Sequence, residues 1–130
     1  MRILSEVPIT TPSQVWEMFR TRALRWDREH FLILALNGRH QVIGYDLVSI
    51  GTLMASLVHP REVFKPLILA NALAFILVHN HPSGDPSPSS EDEALTRKLK
   101  EAGDILGIKL LDHVVLGHDR FYSMSSKGLL

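Results

Sequence analysis

Ala74-Phe75-Ile76-Leu77-Val78 is a short, uninterrupted apolar run, rich in β-branched and aromatic residues, that ends at His79. Such a run makes a strand buried on both faces. Whatever the chain folds into must therefore carry His79-Asn80-His81 at one edge of its core. Side chains at i and i+2 of an extended segment point the same way, so His79 and His81 present both imidazoles to one side while Asn80 points to the other. The Pro, Ser, Gly and Asp residues from Pro82 to Pro88 force a loop. Ser89 to Asp92 then introduce a helix, with Asp92 in its first turn.

Two neutral imidazoles and one carboxylate are a common catalytic zinc set, because three protein ligands leave the fourth tetrahedral position open for water. Bound water with a lowered pKa is a nucleophile at neutral pH. The chain has no cysteine, which excludes thiolate-rich structural zinc sites. An isolated His-x-His is weak evidence, and Ser89-x-x-Asp92 fits a capping box equally well, with hydroxyl and carboxylate satisfying orphan N–H groups of the helix. The conjunction favours a metal: a buried strand, two histidines on one side, a loop able to fold back and an acid on the next helix.

Around this element the 130 residues suit one domain of ordinary size with its own core. Thr11-Pro12-Ser13-Gln14 reads as a helix start, followed by an apolar face of Val15, Trp16, Phe19 and Ala23. Arg20, Arg22, Arg25 and Arg28 form a basic run, usually a solvated face. Phe31 to Leu36 is a buried strand, and Asn37-Gly38 signals a hairpin to a partner strand through Val42, Ile43 and Tyr45 to Val48. Arg61 to Leu73 has a helical apolar pattern with Pro66 inside it, which predicts a kink or a helix beginning near Pro66. Leu95, Leu99, Ala102 and Leu106 predict a helix from Ser90 to Leu106, closed by Gly107. Two last strands are expected, Ile108 to Leu116 and Phe121 to Met124. His30, His40, His59, His113 and His118 lack close-spaced partners and read as structural or exposed, with Asp112-His113 an adjacent acid and histidine pair that would line a cleft.

Fourteen basic and fourteen acidic side chains balance, so no strong pull toward nucleic acid is expected. The first residues contain no apolar signal region, and the stretch Leu67 to Val78 is too short and too interrupted to span a bilayer. A soluble, cytoplasmic protein without a membrane partner is expected; the oligomeric state is not legible.

His79-x-His81, seven residues, then Ser89 and Asp92 resembles the JAMM motif of MPN-domain metallopeptidases, and HNHPSGDPSPSSED resembles its version in the RadC family. Arg61-Glu62-Val63-Phe64 and Leu111-Asp112-His113 extend that likeness over roughly residues 25 to 123. The resemblance implies an α/β chain of the MPN, cytidine deaminase-like fold, a mixed sheet flanked by about three helices. Residues 25–130 would be that domain and residues 1–24 an N-terminal extension with one helix. It implies one zinc per chain on His79, His81 and Asp92, with Glu29 as catalytic base and Glu62 as second choice. Ser89 would hydrogen-bond the developing oxyanion, and the substrate would be a peptide or protein amide. RadC proteins usually carry an N-terminal helical region like helix-hairpin-helix DNA-binding modules, and little or none of it is in this sequence. An alternative is a non-enzymatic, metal-stapled module acting with protein partners in DNA repair. Zinc deaminase chemistry is disfavoured because its cysteine ligands are missing.

Overall fold

The computed structural model describes residues 1–51 and 58–130, and only the backbone of residues 2–7. Its elements run in order β1 (Arg2–Pro8), α1 (Pro12–Ala23), β2 (His30–Leu36), β3 (Gln41–Ile50), α2 (Pro60–Leu69), β4 (Ala74–Asn80), α3 (Ser90–Leu106), β5 (Lys109–Leu116) and β6 (Phe121–Ser123). The strands form one sheet in the order β1-β3-β2-β4-β5-β6. Neighbours are antiparallel except β4 and β5, which are parallel. A parallel pair needs a crossover, and α3 supplies it. The result is the α/β fold with a mixed sheet and three helices that the resemblance implies.

Strand alternation divides the core. Phe31, Ile33 and Ala35 of β2 and Phe75 and Leu77 of β4 pack with Val63, Phe64 and Leu67 of α2 and Leu95 and Leu99 of α3. The residues between them, Leu32, Leu34, Leu36, Ile76 and Val78, pack with Val15, Trp16, Phe19 and Ala23 of α1 on the other face. Both faces of β2 and β4 are covered, which is why their sequences are continuously apolar. Continuing the alternation past Val78 places His79 on the α3 side and Asn80 on the α1 side.

Some local outcomes match the sequence reading and others differ. Residues 2–8 form an edge strand against β3. The Asn37-Gly38 hairpin closes through four residues, with the Asn37 side chain accepting from the backbone of Arg39 and Gln41 at 2.9 and 3.1 Å. The left-handed residue is His40 (φ 56°), so this is not the two-residue turn with positive φ at Asn and Gly. Helix α2 begins at Pro60, six residues before Pro66, because Pro60 suits a first-turn position where no N–H is required. Helix α3 spans Ser90–Leu106 and stops at Gly107, which adopts the left-handed cap (φ 73°). Leu106, the last of its apolar stripe, runs past the core and is exposed. The basic run is a solvated face, with Arg20, Arg22, Arg25 and Arg28 all exposed; within it the Arg22 guanidinium lies over Phe19 and donates to the Tyr45 hydroxyl, and Arg20 pairs with Glu17.

Among the described residues no helix is long and apolar enough to cross a membrane.

Candidate metal centre

Strand β4 delivers His79 fully buried and, just beyond its end, the partly buried His81. The His81 N–H still bonds to the Leu116 carbonyl of β5, so the chain stays extended through both histidines, and their rings meet edge to face with centroids 4.8 Å apart. Their Nε2 atoms are 3.0 Å apart. The following loop folds back because Gly84 takes a positive φ of 93° and its N–H bonds to the His81 carbonyl. A Cβ at Gly84 would collide with the His118 ring. The loop ends at Ser89, the N-cap of α3, and the first turn of that helix brings in Asp92.

Asp92 is 2% exposed, and its two carboxylate oxygens stand 3.1 Å from Nε2 of His79 and 3.1 Å from Nε2 of His81. The Ser89 N–H donates to Oδ2 at 2.7 Å and the Asp92 N–H donates to the Ser89 hydroxyl at 3.1 Å, a complete capping box. Burial opposes ionisation of Asp92, but hydrogen bonds from the two histidines and Ser89 overcome it, holding the carboxyl well below its usual range. For His81, burial works against charge, yet the Asp92 hydrogen bond, the Asp85 carbonyl and the nearby carboxylates outweigh it and raise the pKa above the ordinary imidazole value.

Proton positions follow from which atoms can donate. Nδ1 of His81 lies 2.8 Å from the Asp85 carbonyl, which can only accept, so Nδ1 carries the hydrogen and neutral His81 has a bare Nε2. The Thr96 hydroxyl donates to the Asp92 carbonyl at 2.8 Å. Its oxygen therefore accepts from Nδ1 of His113 at 2.6 Å. His113 is fully buried, and burial together with the charge of His79 holds its pKa well below the ordinary value, so the ring is neutral and Nε2 is an acceptor. That nitrogen lies 2.7 Å from Nδ1 of His79, which must donate, and the bare atom of neutral His79 is again Nε2. Once the Nε2 hydrogens that bond to Asp92 are displaced, two lone pairs and a carboxylate point at one place.

Such a donor set calls for a cation, and its dimensions suit a metal. Ligand atoms ~2.0–2.1 Å from a tetrahedral zinc stand roughly 3.3 Å apart, close to the 3.0 and 3.1 Å separations found. Glu29, which immediately precedes β2, joins from the open side: one ligand atom each from Glu29, His79 and His81 lie within 4.8 Å of one another. Of the two carboxylates near the histidines, Asp92 is the more buried and is anchored by backbone, whereas Glu29 is partly exposed beside a cavity of about 330 Å³ lined also by Asp27, Arg28, Gly51 and Pro82. Glu62 sits exposed in the first turn of α2 and is not part of this group.

Sequence reasoning missed Thr96 and the depth of His113. Two signals were present: a histidine inside the apolar strand after Ile108, and a threonine one helical turn beyond Asp92. Asp112 does not enter the centre; its carboxylate accepts from the Ser123 hydroxyl and from the backbone of His113 and Ser125.

The chain is 51% identical over 126 residues to a UPF0758 protein of Desulforamulus reducens, and 50% identical over 127 residues to one of Moorella thermoacetica. These alignments cover 97% and 98% of this chain and 56% of each relative, so the chain spans little more than half the length of these curated relatives. A UPF0758 protein of Desulfitobacterium hafniense is 47% identical over 122 residues, 94% of this chain and 54% of its own. The family model of the RadC-like JAB domain matches residues 9–129. With the strand, loop and helix that carry the histidines and acids all inside that match, the chain belongs to the RadC-like JAB domain family.

Proposed function

We propose that the domain is a zinc-dependent hydrolase of the JAMM metallopeptidase type, acting on a peptide or isopeptide amide of a protein substrate. The observation that carries this reading is the convergence of the Nε2 atoms of His79 and His81 with the Asp92 carboxylate, beside a second, partly exposed acid at Glu29. A purely structural site would need no such acid on its open side. His79, His81 and Asp92 would hold one zinc per chain. Zinc bound there would lower the pKa of a coordinated water and polarise the substrate carbonyl. Glu29 accepts the proton of the attacking water and passes it to the leaving amine. The Ser89 oxygen accepts from the Asp92 N–H and keeps its own hydrogen, so the exposed hydroxyl is able to donate to the developing oxyanion. The cavity beside Glu29 is the side from which a chain would approach.

The test is a pair of measurements. The domain should bind about one equivalent of zinc, and His79→Ala or His81→Ala should abolish binding. Glu29→Gln should keep that metal while losing roughly 10²- to 10⁴-fold in turnover of a peptide or isopeptide substrate. Normal turnover by Glu29→Gln would overturn the base assignment, and unchanged metal content in both histidine variants would end the reading.

A further inference from the structure

Asn80 sits between the two histidines, is 2% exposed, and points away from them toward the α1 side. Its side chain makes two hydrogen bonds, both to the segment that carries Glu29. Oδ1 accepts from the His30 N–H at 2.7 Å, and Nδ2 donates to the Arg28 carbonyl at 3.1 Å. The amide orientation is forced, because an N–H requires the oxygen and a carbonyl requires the nitrogen. Strand pairing explains the geometry. The last β2·β4 backbone pair is Phe31 with His79, and beyond it the Asn80 backbone pairs only with Leu116 of β5. The primary amide offers the same donor and acceptor as a peptide group, so it extends the ladder past its end and clasps the residues on both sides of Glu29. The same tripeptide is held from outside by the Gly51 N–H, which donates to the Glu29 carbonyl at 2.9 Å, and by Trp26, which stacks on the His30 ring at 4.2 Å.

We infer that Asn80 is the positioning residue for Glu29: one extended segment presents two proposed metal ligands on one face and, from the residue between them, fixes the general base at the entrance of the neighbouring strand. This rests on the reading of Glu29 as base, but the clasp itself can be read without activity. Aspartate in place of Asn80 keeps the acceptor for His30 but cannot donate to Arg28, alanine loses both, and neither touches the metal ligands directly.

The experiment measures amide hydrogen exchange, zinc affinity and turnover in Asn80→Ala, Asn80→Asp, Glu29→Gln and the Asn80→Ala/Glu29→Gln double variant. In Asn80→Ala, exchange should rise roughly tenfold at His30. It should also rise at Gly51, which Asn80 does not touch but which bonds to Glu29. Amides along β4 and zinc affinity should stay near the parent values. In Asn80→Asp, exchange at His30 should rise less than at Gly51. Turnover of Asn80→Ala should fall toward that of Glu29→Gln at similar KM, and the double variant should be no slower than Glu29→Gln alone. An unchanged Gly51 amide would overturn the clasp, and loss of zinc affinity together with turnover would show that Asn80 supports the ligand strand instead. Normal turnover in Asn80→Ala alongside a slow Glu29→Gln would overturn positioning, whereas normal turnover in Glu29→Gln would overturn the base assignment and leave the exchange result to judge the clasp.

Discussion

Replacing Thr96 by Val removes one oxygen at nearly constant volume and tests the proton arrangement behind the centre. In the parent, Thr96 accepts from Nδ1 of His113 and donates to the Asp92 carbonyl. In Thr96→Val, His113 keeps its proton on Nδ1 with no acceptor, or moves it to Nε2. The first choice leaves a buried N–H unsatisfied, at ~1–3 kcal/mol. The second turns a donor toward Nδ1 of His79 and drives the His79 proton onto Nε2, the proposed ligand atom. Either way the metal-competent state is penalised. Loss of an outer-shell partner typically lowers metal affinity by about 10- to 100-fold, and at ~1.4 kcal/mol per decade that is ~1.4–2.8 kcal/mol, consistent with the hydrogen-bond figure. Competition against a chromophoric chelator measures this directly with zinc or cobalt. Thr96→Ser, which keeps the hydroxyl, should bind like the parent. Parent-like affinity in Thr96→Val, or equal losses in Val and Ser, would refute the chain of donors from Thr96 to His79.

Three further outcomes are expected. His81 has a raised pKa, so zinc competes with its proton; affinity should fall as pH is lowered and binding should release protons, read by calorimetry in buffers of different ionisation enthalpy. The His113 pKa is depressed, so its contribution to the stability of the metal-free domain is present above the unfolded value of about 6.5 and lost as pH falls below it, at up to ~1.4 kcal/mol per pH unit; chemical denaturation across that range should show the slope and His113→Gln should lack it, while the raised His81 contributes with the opposite sign, lost as pH rises through its folded pKa. Asp92→Asn should lower zinc affinity by more than it lowers melting temperature, whereas a role in helix capping alone predicts lost stability with metal retained.

What was legible in the sequence had local causes. Strand β4 could be read because burial on both faces makes a run apolar without interruption, and α3 because Leu95 and Leu99 repeat at helical spacing between a serine N-cap and a glycine stop. The proposed ligand set could be read because a strand, a forced loop and a helix start follow one another within fourteen residues, His79 to Asp92. Thr96 and His113 were not, since their meeting depends on β5 lying parallel beside β4, with His113 opposite Leu77. No spacing along the chain encodes that register. The edge strand at residues 2–8 is likewise fixed by its pairing with Arg2 opposite Tyr45, far away in sequence.

The sequence left two readings of Ser89-x-x-Asp92 open, a helix cap and a metal-ligand segment, and the geometry makes them one arrangement. A carboxylate has about four lone-pair sites, and Asp92 uses them on both sides: Oδ2 takes the Ser89 N–H at 2.7 Å while standing 3.1 Å from His81, and Oδ1 stands 3.1 Å from His79. The cap fixes the side chain before any metal arrives, so little rotamer entropy remains to be lost on binding. The helix N-terminus also favours the ionised form that a metal requires. The backbone closes the loop from the other direction, because the Asp92 carbonyl receives the Thr96 hydroxyl, whose oxygen orients His113 and, through it, His79. One residue at the start of α3 therefore faces the metal position with its side chain and helps set the proton on another proposed ligand with its main chain. It follows that the start of α3 and the ligand geometry cannot be disturbed independently, which a cap added merely for helix stability would not require.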